Sequence, residues 1–252
     1  MTTAVTERPI LFSAPMVQAL LAGTKTQTRR IVKPQPISLG NGVWEFGDKI
    51  LASDSEMQEH LFHEVYGTKG TPYGSLWGDD RGDRMWVRET LIARDCAYGR
   101  KVAYAADNLY LRNGRTEIDL PNGGRHVEAP EWKWQRKSLP SIHMPRWASR
   151  ITLEITDVRV QRLAEISEED AIAEGIHSNN FTGWGDEPGI PSMPEPTVYQ
   201  DYSSTHRLGC NWLESPVDSY RTLWNSINGP GSWDANPFVW CVSFRRIELA
   251  NR

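Results

Sequence analysis

Four side chains within six residues carry the chemistry that can be read from this chain: Lys25, Thr28, Arg29 and Arg30, in the pattern Gly23-x-Lys25-x-x-Thr28-x-Arg30. A lysine whose pKa is lowered by burial or by neighbouring cations can accept a proton from a hydroxyl. Donors beside it can stabilise the oxyanion that forms on an attacked carbonyl, or grip a phosphate. From the residues alone both readings stand. The cluster either activates Thr28 as a nucleophile or anchors a phosphate.

The flanking sequence predicts how these groups are placed. Ser13 is placed to cap a short helix with Pro15 in its first turn, and Met16, Val17, Leu20 and Leu21 form its apolar stripe. Gly23 suits the C-terminal cap, where a left-handed conformation is needed. An extended segment, Thr26 to Val32, follows and stops at Pro34 and Pro36. In a strand Thr26, Thr28 and Arg30 share one face and Gln27 and Arg29 the other, with Lys25 at the corner able to lean over either.

Further strands are expected around Val43–Phe46, over Gly82–Ile92 and over Val102–Ala106, with a polar hairpin from Leu109 to Arg125 turning at Asn113-Gly114 or Asn122-Gly123. Arg150 to Leu163 alternates most cleanly, with a phase change at Thr156-Asp157 that predicts a turn or bulge. Ser167 opens a helix through a capping box with Glu169 or Asp170, ending near Gly175 and carrying Glu174. The segment His177–Asn211 is rich in Gly, Pro, Ser and Asn and reads as a long loop, placed as a lid beyond Glu174. A last helix, Pro216 to Ile227, puts Val217, Tyr220, Leu223, Trp224 and Ile227 on one face and stops at Asn228-Gly229-Pro230-Gly231.

The pattern around Lys25 resembles the signature of the ASCH domain family, G-x-K-x-x-E-x-R, with Thr28 standing where most members carry Glu. That variant is similar to the small bacterial N(4)-acetylcytidine amidohydrolases, in which the Lys and Thr of the motif act with a later Glu. Gly82-Asp83-Arg84-Met85-Trp86-Val87, the run Ala148–Glu165 and the closing strand Phe238–Phe244 also resemble family segments, and Ala173-Glu174-Gly175 falls where those enzymes carry the catalytic Glu. The resemblance implies an α+β, mostly β fold: a PUA-like mixed β-barrel with a few short helices. It implies one elaborated domain over residues 1–252, with insertions at roughly 34–80, 94–138 and 177–211, of a form often found in phage and prophage genomes. It further implies a catalytic set of Lys25, Thr28 and Glu174, with Thr28 as nucleophile, Lys25 accepting its proton and Glu174 orienting Lys25 or relaying the proton. The substrate would be an N(4)-acylated cytidine or related nucleoside. The alternative is an RNA-binding module or ribonuclease using the same basic cleft.

Composition narrows the partners. A formal charge of −4 and a pI near 5.9 argue against coating nucleic acid by bulk charge, so any contact is local: Arg29, Arg30 and Arg146 are the candidate substrate contacts, with Arg150 beside Arg146 as a candidate for a phosphate or other anion. Trp132 and Trp134, interleaved with Lys133, Arg136 and Lys137, predict either a base-stacking platform or an edge strand packing two indoles. His143 reads as ordering its loop. Trp86, Trp224, Trp240 and Cys241 read as core. Three scattered cysteines and no signal-like N-terminus suggest a reducing cytoplasm, and no apolar run spans a membrane. His60 and His63 beside Glu64 have no third ligand, so no metal is expected, and no cofactor motif is present.

Overall fold

The computed structural model describes residues 7–53, 55–57, 84–96, 99–111, 117–119, 125–127, 129–179, 197–203 and 211–248. In chain order the elements are strand β1 (Glu7–Leu11), helix α1 (Ala14–Ala22), β2 (Gln27–Ile31), β3 (Ile37–Gly40), β4 (Val43–Phe46), β5 (Lys49–Leu51), β6 (Arg84–Arg88), β7 (Leu91–Cys96), β8 (Gly99–Tyr104), β9 (Glu117–Asp119), β10 (Arg125–Val127), β11 (Ser138–Leu139), β12 (Thr152–Arg162), helix α2 (Glu168–Ala173), β13 (Ser178–Asn179), β14 (Val198–Gln200), β15 (Trp212–Leu213), helix α3 (Pro216–Asn228) and β16 (Phe238–Ile247). The class is α+β and mainly β. None of the described helices is long and apolar enough to cross a membrane.

The main sheet has the order β1-β6-β12-β16-β2. It is mixed: β1 runs parallel to β6, while β6–β12 and β2–β16 are antiparallel. The expected barrel is met only to that extent, because among the described residues β1 and β2 remain the two edges of an open order. The chain forms two compact units, Met1–Gly23 with Asp80–Ile155 and Phe244–Arg252, and Thr24–Asp79 with Thr156–Ser243.

In the first unit β11-β7-β8 form a three-stranded antiparallel sheet. Leu91, Val102, Tyr104, Leu111, Leu139, Met144 and Ala148 form a core cluster, onto which Trp132 and Trp134 pack. The run Gly82–Ile92 is not one strand. Within its described part it divides into β6 and β7 at Glu89-Thr90, where the buried Glu89 carboxylate accepts from Arg150 Nε and Nη2, at 2.8 Å each. Arg150 also donates to Asp107 at 2.7 Å and lies 3.8 Å from the Tyr104 ring centroid. The hairpin expected at Leu109–Arg125 has arms Glu117–Asp119 and Arg125–Val127. Both proposed turns, Asn113-Gly114 and Asn122-Gly123, lie outside the described residues, as do His60, His63 and Glu64.

In the second unit β3-β4-β5 form a meander and β13-β14-β15 a small antiparallel sheet. Leu163, Ile166, Ala171, Ile176, Tyr220, Trp224, Val239 and Cys241 make a core cluster. The small sheet corrects the expectation that His177–Asn211 is loop throughout: its ends pair as strands, while residues 180–196 and 204–210 lie outside the described residues. Helix α3 forms as its pattern dictates, capped by Ser215, whose Oγ accepts from the Asp218 N–H at 3.2 Å. Tyr220 and Trp224 are buried, but Ile227 is exposed. The phase change at Thr156-Asp157 is no turn. Strand β12 runs through it unbroken, and the boundary between the units falls at Ile155/Thr156, so the inward positions change phase there.

Burial raises the pKa of Glu89, and Arg150 opposes that shift. An acid whose folded pKa lies above its unfolded value contributes stability at low pH that is lost as pH rises through the folded value. Replacing Arg150 by Ala strands a buried carboxylate and lowers stability by about 3–5 kcal/mol near neutrality. Urea denaturation should find that deficit narrowing as pH falls and Glu89 takes up a proton. Glu89→Leu combined with Arg150→Leu should recover most of the loss.

Candidate functional site

Lys25 enters the site at the turn from α1 into β2. Gly23 supplies that turn at φ +78°, its N–H donating to Leu20 O at 3.2 Å. Ser13 serves the other end of α1 through its backbone, Val17 N–H donating to Ser13 O, and not through its side chain as expected. Beyond Gly23 the chain zips onto the end of α2: Thr26 N–H donates to Ala173 O at 2.9 Å, and Lys25 and Glu174 form an antiparallel bridge. Glu174 is held there because Ser167 caps α2, its Oγ accepting from Asp170 N–H at 3.2 Å, and because Gly175 leaves the helix at φ +79°.

The Lys25 side chain is wholly buried. Its Nζ donates to Gln27 O at 2.8 Å, to Glu174 O at 2.7 Å and to Glu174 Oε2 at 2.9 Å. These three acceptors match the three N–H bonds of an ammonium. Burial lowers the Lys25 pKa below its ordinary 10.5; Glu174 opposes the shift, and the Arg30 and Arg29 charges add to it. Burial thus makes Lys25 give up its proton more readily than a surface lysine, while the Glu174 carboxylate opposes that release.

Around this pair lies a second tier. Arg29, also fully buried, donates to Glu174 Oε1 at 3.2 Å, to Asp170 Oδ2 at 2.7 Å and to Gln27 Oε1. Gln27 Nε2 reaches Asp170 Oδ1 at 3.1 Å, and Arg159 of β12 donates to Asp170 Oδ2. Arg29 passes over the Tyr220 ring at 6.0 Å, and its Nε is buried without a partner. Burial works against the Arg29 charge, but the net shift is upward, with Glu174 and Asp170 among the groups that hold the proton.

The structure therefore brings Lys25 and Arg29 each into direct contact with Glu174, on its two carboxylate oxygens. Thr28 lies one residue before Arg29 in β2, opposite Val242 and 1% exposed. Strand alternation sets it and Arg30 on the face opposite Gln27 and Arg29. Arg30 donates to Arg29 O at 3.3 Å. The other expected contacts belong to the first unit. Arg146 donates to Glu7 Oε2 at 3.1 and 2.9 Å and lies over the Trp86 ring. Trp132 and Trp134 meet edge to face at 4.8 Å, with the Trp132 indole N–H on Arg136 O, and both pack on the core cluster of the first unit. His143 is exposed in a 3-10 turn. Asp170, Gln27 and Arg159 were not singled out as functional in the sequence. Gln27 and Arg29, two apart on one strand face, were the available signal. Among the described residues no group of His, Cys, Asp and Glu side chains could hold a metal ion.

Comparisons of the chain with family models, with curated proteins and with solved structures found no match.

Glu174→Gln removes the group that opposes the lowering of the Lys25 pKa. The Lys25 Cε resonance, followed by NMR across the alkaline range, should titrate at lower pH in the variant than in the wild type. A base with a folded pKa below its unfolded value contributes stability that is lost as pH falls through the folded value. The variant should therefore be weakest, relative to wild type, on the acid side of the Lys25 transition.

Proposed function

We propose that the protein is an amidohydrolase of the ASCH type, on a PUA-like sheet, that removes an acyl group from the N(4)-amine of cytidine or a related nucleoside. The observation that carries this reading is the buried Lys25–Glu174 pair, whose 2.9 Å contact joins residues 149 apart in sequence. A wholly buried lysine costs stability, and amines with a perturbed pKa mark acid–base sites.

The scheme starts from the unprotonated form of Lys25, which burial favours and Glu174 opposes: Thr28 Oγ attacks the acyl carbonyl and passes its proton to that amine. The C–N bond then breaks, the amine leaves with a proton returned from Lys25, and the acyl group stays on Thr28 as an ester. Water hydrolyses that ester by the same proton path in reverse order. Glu174 stabilises the Lys25 ammonium formed in each half. The step requires Lys25 to give up one of its three acceptors for the hydroxyl, and Gln27 O and Glu174 O are neutral carbonyls from which release is least expensive. Arg29 acts here by holding Glu174, since its guanidinium bonds are internal.

A polynucleotide-binding reading of the same residues has less support. It needs Arg29, Arg146 and the Trp132–Trp134 pair turned outward, whereas each is engaged with protein partners.

Purified protein offered a panel of N(4)-acylated cytidines should release cytidine and the free acid. Lys25→Ala and Thr28→Ala should each abolish turnover without loss of fold, and the double variant should be little worse than either, because residues acting as one unit are non-additive. Thr28→Ser should retain activity. Turnover unchanged in Thr28→Ala would remove the nucleophile from the scheme.

A further inference from the structure

The charges behind Lys25 alternate in sign along a chain of contacts. Lys25 Nζ meets Glu174 Oε2, Glu174 Oε1 meets Arg29 Nη1, Arg29 Nη2 meets Asp170 Oδ2, and the same Asp170 oxygen accepts from Arg159 Nη2. The first three side chains are buried, Lys25 at 0%, Glu174 at 3% and Arg29 at 0%, and exposure then rises to 20% at Asp170 and 37% at Arg159. A carboxylate with two separate cationic partners cannot rotate freely. Glu174 keeps Oε2 on Lys25 only while Oε1 is held by Arg29. Arg29 in turn has one arm on Asp170 and the other shared by Gln27 and Glu174, and its Nε has no hydrogen-bond partner among the described residues, so the end groups carry the hydrogen bonds that orient the guanidinium.

We propose that Asp170 is a positioning residue for this site, acting through Arg29 to hold the Glu174 carboxylate against Lys25. The inference rests on the amidohydrolase reading for its kinetic consequence, though not for its geometry. Asp170 suits the role in two ways. Its backbone N–H, and not its carboxylate, serves the helix cap on Ser167 Oγ, so the side chain is free for the relay. Its carboxylate stays ionised, because Arg159 and Arg29 outweigh the burial that would raise its pKa. Gln27 completes the clamp, since its amide nitrogen on Asp170 and its amide oxygen on Arg29 fix both partners at once. The charged and titratable groups facing the pair are Glu174 on the turn after α2, Arg29 and Arg30 on β2, Asp170 on α2, Arg159 on β12, Tyr220 on α3 and Cys241 on β16. Burial pushes Tyr220 well up and Cys241 up to about 12, so neither carries charge where Lys25 titrates.

The test uses the full chain and two readouts. The first is the Lys25 Cε titration by NMR without substrate. The second is kcat and KM on N(4)-acetylcytidine. Asp170→Asn, which keeps the helix cap, should shift the Lys25 midpoint downward and lower kcat about 10- to 100-fold with little change in KM. Asp170→Glu should recover part of both. In an Arg29→Lys background, where one ammonium cannot replace the fork, adding Asp170→Asn should cost much less than it does in the wild type. A Lys25 midpoint unmoved by Asp170→Asn, or an equal shift in both backgrounds, would overturn the relay. Should Asp170→Asn not fold, Arg29→Lys alone cuts the same link, and an unmoved midpoint there would overturn it equally. Midpoints that move as expected in a wild type inactive on every acylated cytidine would uphold the positioning role and overturn the amidohydrolase reading.

Discussion

The second unit is organised around the need to keep a buried ammonium solvated by protein. An unpaired lysine charge taken out of water costs several kcal/mol in effect, far more than any one apolar contact returns. Here the cost is met by two backbone carbonyls and a carboxylate. The carbonyl of Glu174 is available because α2 ends at that residue. Ser167 fixes where α2 begins and Gly175 where the chain departs, so a six-residue helix is cut to the length that leaves Glu174 beside Lys25. The register of β2 against β16 sets Cys241 opposite Arg29 and Ser243 opposite Gln27, and Ser243 accepts from the Gln27 amide. Small changes in either element would misplace a charge as well as a side chain.

The first unit solves a similar problem with different chemistry. Glu89 is as deeply buried as Glu174, but its partner is the planar fork of Arg150, braced by Asp107 and stacked on Tyr104. A guanidinium holds its proton far above neutrality, whereas burial lowers the pKa of an amine. The two clusters therefore differ in what they can do. The Glu89–Arg150 pair stabilises and orients the β6–β7 corner. Of the two pairs, the Lys25–Glu174 pair is the one whose base has a net lowered pKa, through burial.

Much of this was legible from local pattern. Gly23, the β2 alternation, the α3 stripe and the capped turn before Glu174 follow from rules that act over a few residues. The resemblance placed Glu174 with Lys25, which no spacing rule could do across 149 positions. What escaped reading depended on partners remote in sequence. Asp170 looked like an ordinary first-turn acid, half of a capping box, until Arg29 and Arg159 were found on its carboxylate. Glu89 sat inside an alternating run and was taken as strand, because nothing nearby announced Arg150. The ends of the Gly- and Pro-rich stretch after His177 lacked apolar periodicity, yet they pair through backbone bonds that need none.

The interleaving of the two units has a consequence for synthesis. Each unit uses part of β16: residues through Ser243 belong to one and Phe244 onward to the other. A chain made from the N-terminus presents Lys25 early and Glu174 only after 149 more residues, and neither unit has all its strands until β16 has left the ribosome. Vectorial, piece-by-piece folding is therefore closed to both. The loop-closure entropy of these distant pairings falls due late and nearly together, which favours a concerted step once β16 has emerged over unit-by-unit assembly.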